Sequence, residues 1–598
     1  MTWGMRWSTG SSPQALNFCG LLSICISLWA GLCGCASTTK SGERLCDNII
    51  LREGKIALGK NERTLVCGSS AGMEGWQDVP LPQAQYHLRV FLQNEGYLAP
   101  RFEREGSTLH VWAGPRQEIA EFIIEGAGEV LDRSEKREVV GEPLTPAKLD
   151  EIEKWINVQL RSQGYACPET EVVAQVWDRK VIAHVKPGPR RRIVEVQREG
   201  FDGLDAEILA RYQAFNVGDW YDVRELELTT ARMQTDGLFQ SAYFDTECRG
   251  EDVHLNLHAL VGKPHVLRFG VGASTEEFPF ADVWYIDTRL DDRGSSLEAR
   301  LHTSPREQSL SGSSKIYRVP WSRRTFFGPR FKLERESERS HEVLSAEAGA
   351  DLGRQWDRWN LRMEGRFGPT LNHVKTVRGV GPEDVSFLSW RGVGMVMTHP
   401  YELYRRDQFY GWSASLDYQG QRKGIGSELN VDRYELDFRH LYNFRGYSPP
   451  LFILGSRIEA VGVDTNPVDL EQDRTLLPVD YRVAYGGDQN LRGFGRRVLD
   501  NDGLGYLTAL YLGFELRLVD ELPYKLEPFL LWDGAKLGEK RYTLGESVFT
   551  SHGAGLRWPS PFGTLRGSAA RGRILNETPA TQKYPEEWVY FVNFGQEF

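Results

Sequence analysis

Two short segments of the sequence carry side chains of the types and spacing that a functional site needs. Residues Gly68 to Gly72 read G-S-S-A-G, which fits the G-x-S-x-G turn that presents a nucleophilic serine in hydrolases. That turn requires a large α/β sheet with a downstream Asp and His, and the chain before the first repeat (below) is too short to form it. The second segment, Gly486 to Phe494, places Arg492 among glycines. We therefore expect a binding site rather than a catalytic one, and predict that the chain is not an enzyme.

The cysteines give no sign of a metal site. Four of the eight lie within the first 35 residues, and the others are Cys46, Cys67, Cys167 and Cys248. No Cys-x-x-Cys pair is present, so we predict no metal and no cofactor. An oxidising compartment would permit a bridge between Cys46 and Cys67, although the sequence alone does not establish it.

The composition excludes some functions and leaves others open. A chain of 598 residues is too long for one hydrophobic core, so two or more domains are expected. The net charge of -10 argues against nucleic-acid binding. Hydrophobic content is 40% and charged content 26%, as in soluble proteins. A membrane barrel has a similar composition, because its strands alternate lipid-facing and lumen-facing residues.

The N-terminus indicates export. Leu16 to Gly34 is uncharged and apolar, as in a signal peptide. At the end of this segment, Leu32-Cys33-Gly34-Cys35 resembles a bacterial lipobox. This predicts a lipoprotein signal peptide over 1–34 and a lipid on Cys35. The alternatives are an ordinary signal peptide or an uncleaved anchor.

A repeat of 74 residues follows. Gly114-Pro115-Arg116 and Gly188-Pro189-Arg190 are each followed by an isoleucine and then a glycine at the same spacing, and Gly262-Lys263-Pro264 is a weaker third copy. Within a repeat, Thr145-Pro146 and Asp222 are typical helix starts, and Gly164 is a typical stop. The predicted order is strand, helix, helix, strand, strand.

This βααββ order, with the motifs at its junctions, resembles the POTRA domain. The resemblance implies soluble modules that receive client segments at exposed strand edges. The predicted domains are a linker and first POTRA domain over 35–116, a second over 117–190 and a third over 191–264.

From His265 onward the pattern is β throughout. Tyr434, Leu436 and Phe438, for example, alternate with charged residues, as in a strand with one lipid-facing and one lumen-facing side. At about twenty residues per strand and loop, 265–598 predicts a transmembrane antiparallel β-barrel of about sixteen strands.

The C-terminal third resembles the BamA/TamA superfamily of outer-membrane assembly barrels. Its signature loop is matched by Gly486, Gly487, Leu491, Arg492, Gly493 and Phe494, and a strand motif by Trp532-Asp533-Gly534. The resemblance implies that the loop folds into the barrel, where Arg492 meets Asp533. Leu531 and Ala535 depart from the usual aromatic and glycine beside that acid. The alternating C-terminus, with Phe591, Gly595 and Phe598, resembles the signal by which such barrels are themselves recognised.

The resemblance implies an insertion factor in the bacterial outer membrane, with its POTRA domains in the periplasm. Three repeats match the TamA branch better than the BamA branch. The first strand, near 266–272, and the last, near 588–598, would pair over a short ladder, and this lateral seam would template client strands. The implied partners are the lipid bilayer, unfolded outer-membrane or autotransporter clients and an inner-membrane-anchored tether. The alternatives are a two-partner-secretion-type pore that exports a polypeptide through the lumen, and an adaptor lipoprotein whose barrel is only an anchor.

Overall fold

A computed structural model describes most of the chain and divides it into two compact units. One unit combines 1–125, 138–154 and 171–184, and the other combines 126–137, 155–170 and 185–598. Residues 1–34, for which a signal peptide is predicted, lie outside the described residues, as do Cys35, Gly595 and Phe598, so the predictions made for them stay predictions. The described residues are 42–69, 78–127, 130–131, 139–235, 237–358, 360–404, 410–444, 451–465, 474–519, 522–560 and 563–594.

The first repeat forms a four-stranded sheet in the order β1-β2-β4-β3, with two helices. Leu88 and Leu92 of the second helix are fully buried and pack with Ile49 and Val111 of the sheet. Cys46 and Cys67 form the disulfide that the sequence permitted. The elements are β1 (Arg44–Cys46), β2 (Ile49–Glu53), α1 (Lys60–Cys67), α2 (Leu81–Asn94), β3 (Arg101–Glu105) and β4 (Thr108–Trp112).

The second repeat forms a three-stranded sheet in the order β5-β7-β6. Its helix begins at Pro146, as predicted, and the Thr145 hydroxyl accepts a hydrogen bond from the Lys148 N–H at 3.2 Å. The segment in which the repeat predicts another helix lies partly outside the described residues. The elements are β5 (Glu121–Glu125), α3 (Pro146–Arg161), β6 (Glu169–Gln175) and β7 (Lys180–Lys186).

The third repeat has the full predicted βααββ order, with its sheet ordered β8-β10-β9. Asp222 caps its second helix by accepting the Arg224 N–H at 2.9 Å. Cys248 forms a disulfide with Cys167, which the sequence did not predict. The elements are β8 (Arg192–Glu199), a 3₁₀ turn (Ala206–Ile208), α4 (Leu209–Tyr212), α5 (Val223–Thr235), β9 (Phe239–Arg249) and β10 (Asp252–Val261).

Sixteen antiparallel strands follow, each hydrogen-bonded to the next, in the near-closed barrel that the sequence predicted. A short helix, α6 (His399–Tyr404), connects β18 to β19. The strands are β11 (His265–Gly272), β12 (Phe280–Asp287), β13 (Ser296–Thr303), β14 (Glu307–Lys315), β15 (Thr325–Ser337), β16 (Glu342–Arg358), β17 (Leu361–Arg378), β18 (Asp384–Thr398), β19 (Gly411–Gln421), β20 (Val431–Asn443), β21 (Phe452–Thr465), β22 (Thr508–Leu518), β23 (Glu527–Gly538), β24 (Val548–Ser560), β25 (Gly563–Leu575) and β26 (Trp588–Phe594).

The strands alternate between an apolar outer face and a polar inner face. On the outer face, Leu267 lies opposite Tyr285, and both side chains are exposed. On the inner face, Asp282 accepts hydrogen bonds from Arg300. This is the pattern of a wall between lipid and a polar lumen. Among the described residues, no helix combines the length and low polarity that a membrane span requires.

Buried ion pairs join the third repeat to the barrel within the second unit. Arg232 on α5 is almost fully buried and donates to Glu402 on α6 at 2.8 Å and to Asp357 on β16 at 2.9 Å. Arg324 donates to the backbone carbonyl of Ala210 in the third repeat at 2.6 Å. The barrel end that carries these contacts is called proximal here. The end with the β11–β12 loop (273–279) is called distal.

Candidate functional site

The signature loop, defined as Gly486–Arg497, turns sharply at its start. Gly486 and Gly487 have φ angles of 109° and 122°, which disfavour any residue with a Cβ. The Asn490 side-chain oxygen accepts the N–H groups of Gly486 and Leu491, at 2.8 and 2.9 Å. The loop is therefore a compact turn held by its own hydrogen bonds. Its residues Leu491, Arg492 and Phe494 are buried inside the barrel.

Arg492 and Asp533 are in direct contact at the centre of the site. The guanidinium of Arg492 donates from Nε to one Asp533 oxygen at 3.0 Å and from a terminal nitrogen to the other at 2.7 Å. The Arg492 backbone N–H adds a third bond at 3.1 Å. Both side chains are completely buried. This is the bidentate fork that only arginine provides, at the position where the resemblance implied it.

A second carboxylate, which sequence reasoning missed, shares the same arginine. Glu515 on β22 accepts a hydrogen bond from Arg492 at 2.7 Å, from Arg517 at 2.7 Å and from Arg566 at 2.6 Å. Three guanidinium groups thus face two carboxylates, with Tyr511 donating to Asp533 at 3.0 Å. Each buried charge has a partner, which is what makes its burial tolerable. Glu515 lies at a polar position of an alternating strand, but alternation does not indicate which side chains it contacts.

The two residues after Arg492 fit the inner wall closely. A Cβ on Gly493 would lie 2.3 Å from the backbone nitrogen of Gly572 on β25, so no side chain fits there. The Gly493 N–H donates to the Ser551 hydroxyl at 2.9 Å. Phe494 is buried against Phe549, with ring centroids 6.0 Å apart. Leu491 is also fully buried in this cluster, so Leu491, Gly493 and Phe494 all lie against the inner wall, and Gly486 and Gly487 form the turn that precedes them.

The signature loop also touches both edges of the barrel sheet. The Asp488 N–H donates to Glu276 of the β11–β12 loop at 3.2 Å, and the Asp488 carboxylate accepts a bond from Asn593 on β26. Arg496 donates to Glu277 at 2.8 Å. Burial raises the pKa of the Glu276 carboxyl to about 7, although the Arg496 charge acts in the opposite direction. The loop therefore joins the β11 side of the sheet to its β26 side.

The two edge strands themselves are almost unpaired. The sequence predicted a short ladder between β11 and β26, but the described residues of these strands form none. Instead the Thr275 N–H, three residues beyond β11, donates to the Val592 carbonyl at 3.2 Å, and the Val592 N–H donates to the Thr275 hydroxyl at 3.3 Å. Strand β11 ends at Gly272, so the chain leaves the strand conformation before the two edges meet. This contact is called the seam.

The edge strands next to the seam expose large apolar side chains. Phe269 and Val271 on β11 are 74% and 82% exposed, more than most apolar residues on the outer wall. Trp588, Tyr590 and Val592 on β26 are exposed in the same way. Phe591 points inward and is buried, so it does not share the outward aromatic face with Trp588 and Tyr590.

Comparisons with known proteins give structural likenesses only. No protein-family model matches the chain, and a search of curated proteins finds no match. Solved structures that resemble it include BamA from Haemophilus ducreyi lacking POTRA domains 1–3, with 14% identity, 79% of this chain and 99% of that chain covered and a TM-score of 0.47. CdiB from Escherichia coli shows 13% identity, 85% and 95% coverage and a TM-score of 0.45. CdiB from Acinetobacter baumannii shows 12% identity, 80% and 89% coverage and the same TM-score of 0.45. At these values no residue role is carried over from those proteins to this chain.

Proposed function

We propose that this protein inserts or assembles other proteins in the bacterial outer membrane, and that client strands enter at the seam. The observation that carries the proposal is that the described residues of β11 and β26 form no ladder, and that the contact between Thr275 and Val592 takes its place. Every other neighbouring pair of barrel strands is joined by a hydrogen-bonded ladder among the described residues. The seam is therefore the place where the wall opens at least cost.

Opening the seam would expose backbone groups that pair with a client. An edge strand presents a row of free N–H and C=O groups, and an extended segment binds such an edge by adding a strand. The exposed Phe269 and Val271 would keep the β11 edge in lipid, where a client strand must end. A short apolar wall beside the seam would also thin the bilayer locally and lower the barrier to insertion.

The signature loop would control this opening. It is anchored to the inner wall by Arg492 and reaches both edges through Asp488. A docked loop holds the edges together, and a released loop lets them part. Undocking the loop would separate Arg492 from Asp533. Because a buried charge without a partner is very costly, the ion pair favours the docked loop.

The remaining partners follow from the same proposal. The three repeats would lie in the periplasm and receive unfolded outer-membrane or autotransporter clients, as POTRA strand edges do. Three repeats before a barrel fit the TamA arrangement, with an inner-membrane-anchored tether at the repeats. A lipid on Cys35 would restrict the first repeat to the membrane surface.

A second candidate is a secretion pore that exports a polypeptide through the lumen. It is favoured by a cavity of about 240 Å³ inside the barrel, whose lining includes the charged residues Glu298, Arg330, Lys332 and Arg391. An exported chain would pass these charged groups, whereas a laterally inserted client would not.

Site-specific photo-crosslinking in cells distinguishes the two functions. A photo-reactive residue at Val271, at the seam, is compared with one at Leu352, an equally outward position on β16 that is 58% exposed. A third, at Glu298, reports on the lumen. We expect adducts with newly made membrane proteins at position 271 and background levels at the other two. Adducts at position 298 with a secreted polypeptide, and none at 271, would reject lateral insertion in favour of the pore.

A further inference from the structure

Three potential metal ligands converge at the distal end of the barrel. They are Glu277 in the β11–β12 loop, His302 near the end of β13 and Glu307 at the start of β14. One ligand atom from each lies within 4.8 Å of the other two. Because the three residues come from separate strands and loops, only the folded barrel brings them together.

The orientation of His302 suits a metal ligand. Its Nδ1 lies 2.9 Å from an Asp282 oxygen, and a carboxylate only accepts hydrogen bonds, so we assign the proton to Nδ1. The Nε2 atom is then a lone-pair donor. It is buried, has no hydrogen-bond partner among the residues that the structure describes, and lies 3.7 Å from a Glu277 oxygen. A buried polar atom without a partner is unfavourable, and a metal ion bound to Nε2 would lie between the imidazole and the Glu277 carboxylate.

We propose that Glu277, His302 and Glu307 bind one divalent transition-metal ion of the Zn²⁺ class. One imidazole nitrogen and two carboxylate oxygens are ligands that Zn²⁺ accepts, and the imidazole favours it over Mg²⁺ or Ca²⁺. The two carboxylates balance the charge of the ion. Asp282 would orient the His302 ring by accepting its Nδ1–H, because metal-bound histidines usually donate their other N–H to a carboxylate.

The local geometry can accommodate the ion. Ligand atoms around tetrahedral Zn²⁺ lie about 3.3 Å apart. The present separations, of which that between His302 and Glu277 is 3.7 Å and none exceeds 4.8 Å, must therefore contract by at most about 1.5 Å. The two glutamates supply this by rotation about their side-chain bonds, while His302 stays fixed by Asp282. Arg496 bonds to one oxygen of Glu277 at 2.8 Å, which leaves the other oxygen, the one near His302, for the metal.

A metal at this site would stiffen one side of the seam. Glu277 lies two residues after Thr275, whose backbone bonds to Val592 on the last strand. Binding would tie the β11–β12 loop to β13 and β14, and so hold the Thr275 segment in place. This effect belongs to the fold and does not depend on the proposed insertion function.

Zinc titration of the purified full-length protein tests the proposal. The protein carries no polyhistidine tag, is stripped with a chelator, and is titrated with Zn²⁺ in lipid nanodiscs against a competing indicator dye. We expect the wild type to bind one equivalent of Zn²⁺, and Glu307→Gln and His302→Gln to lose this binding. Asp282→Asn should still bind one equivalent, with an affinity for Zn²⁺ that is about 10–100-fold lower. Amide exchange at Thr275 should slow on Zn²⁺ addition in the wild type and not in Glu307→Gln.

A matched control separates this site from ordinary histidine binding. His341 is also buried, and its Nε2 faces a single carboxylate, Glu336, at 3.5 Å. His341→Gln should therefore keep the full zinc equivalent. The mobility shift of the folded barrel on an unheated gel confirms that each variant is folded. If His302→Gln does not fold, Glu307→Gln alone tests the site, because Glu307 is partly exposed and its replacement disturbs the fold less. Equal zinc binding by the wild type and Glu307→Gln, or no zinc binding by the folded wild type, would overturn the proposal.

Discussion

Asn593 on the last strand donates a hydrogen bond to Asp488 of the signature loop, and both side chains are almost completely buried. The same Asp488 bonds through its backbone to Glu276, next to the first strand. One loop residue thus joins the two edges of the barrel sheet, close to the contact between Thr275 and Val592. We infer that loop docking and seam closure are coupled.

Replacing Asn593 tests this coupling directly. Asn593→Asp places two carboxylates against each other in a buried position, and like charges repel strongly there. We expect amide exchange at Thr275 and Val592 to become at least tenfold faster. The double variant Asp488→Asn with Asn593→Asp restores one donor and one acceptor, so exchange should return toward the wild-type rate. An unchanged rate in Asn593→Asp would show that this bond does not hold the seam.

Arg492→Ala should release the signature loop and leave the barrel folded. Removing one member of a buried ion pair costs on the order of 3–5 kcal/mol, because Asp533 loses its main counter-charge. The strand ladders do not involve the pair, so the folded gel mobility should persist. Trypsin should cleave after Arg496 or Arg497 much faster than in the wild type, and complementation of a deletion strain should fail. Arg492→Lys, which keeps the charge without the fork, should be intermediate. Full complementation by Arg492→Ala would contradict this role.

Gly493→Ala tests whether close contact with the wall is needed for docking. The added methyl group would lie 2.3 Å from the backbone of Gly572, where neither segment has a side chain that can move away. We expect the same trypsin sensitivity as for Arg492→Ala, with the ion pair chemically intact. Gly394→Ala on β18 is the control, since a Cβ there meets nothing within 4 Å. Equal protection of both glycine variants would mean that the loop adjusts without undocking.

The stability of the third repeat should depend on pH through Glu225. Burial, followed by the nearby Asp222 and Asp219 charges, raises the pKa of Glu225 from 4.5 to about 7. The folded state therefore retains a proton between pH 4.5 and 7 that the unfolded state releases, so stability falls as pH rises through this window. The full effect, reached above pH 7, is about 1–2 kcal/mol after allowance for partial solvent screening.

Glu225→Gln should remove this dependence. At pH 8 the amides of α5 should exchange more slowly in the variant than in the wild type, and at pH 4.5 the two proteins should be alike. Comparing the two proteins at each pH cancels the intrinsic pH dependence of exchange. Glu251→Gln, at an exposed position of the same repeat, controls for the loss of one negative charge. A wild type that is as well protected at pH 8 as Glu225→Gln would contradict the assigned pKa.

Much of the architecture could be predicted because it depends on local patterns. Alternation and chain length predicted sixteen strands, and the Thr145 and Asp222 caps predicted where helices begin. The contact between Arg492 and Asp533 was implied by the resemblance of two motifs to the BamA/TamA superfamily. The departures at Leu531 and Ala535 are accommodated because both face inward, in apolar contacts beside the pair.

Contacts that depend on the register between distant strands could not be predicted. Glu515 meets Arg566 across 51 residues, and Cys167 meets Cys248 across 81. Alternation gives the face of a residue, and says nothing about its neighbour on another strand. The lack of a ladder between the described parts of β11 and β26 is a similar case, since β11 ends at Gly272 and only the closed barrel determines what Thr275 contacts. Glu277, His302 and Glu307 likewise do not match the spacing of any metal-binding sequence motif, so the sequence did not indicate that they lie together.

Locking the seam tests the central claim most directly. Thr275 and Val592 are in direct hydrogen-bond contact, and a disulfide forms where the Cα atoms lie within about 7 Å, so we expect Thr275→Cys with Val592→Cys to cross-link on oxidation. The control, Ala569→Cys with Tyr590→Cys, links β26 to its existing partner β25. Wild-type protein treated with the same reductant controls for the native disulfides. In proteoliposomes, we predict that the oxidised seam pair inserts clients at least tenfold more slowly than the reduced pair, while the control pair is unaffected. Equal insertion by the oxidised and reduced seam pairs would contradict lateral entry.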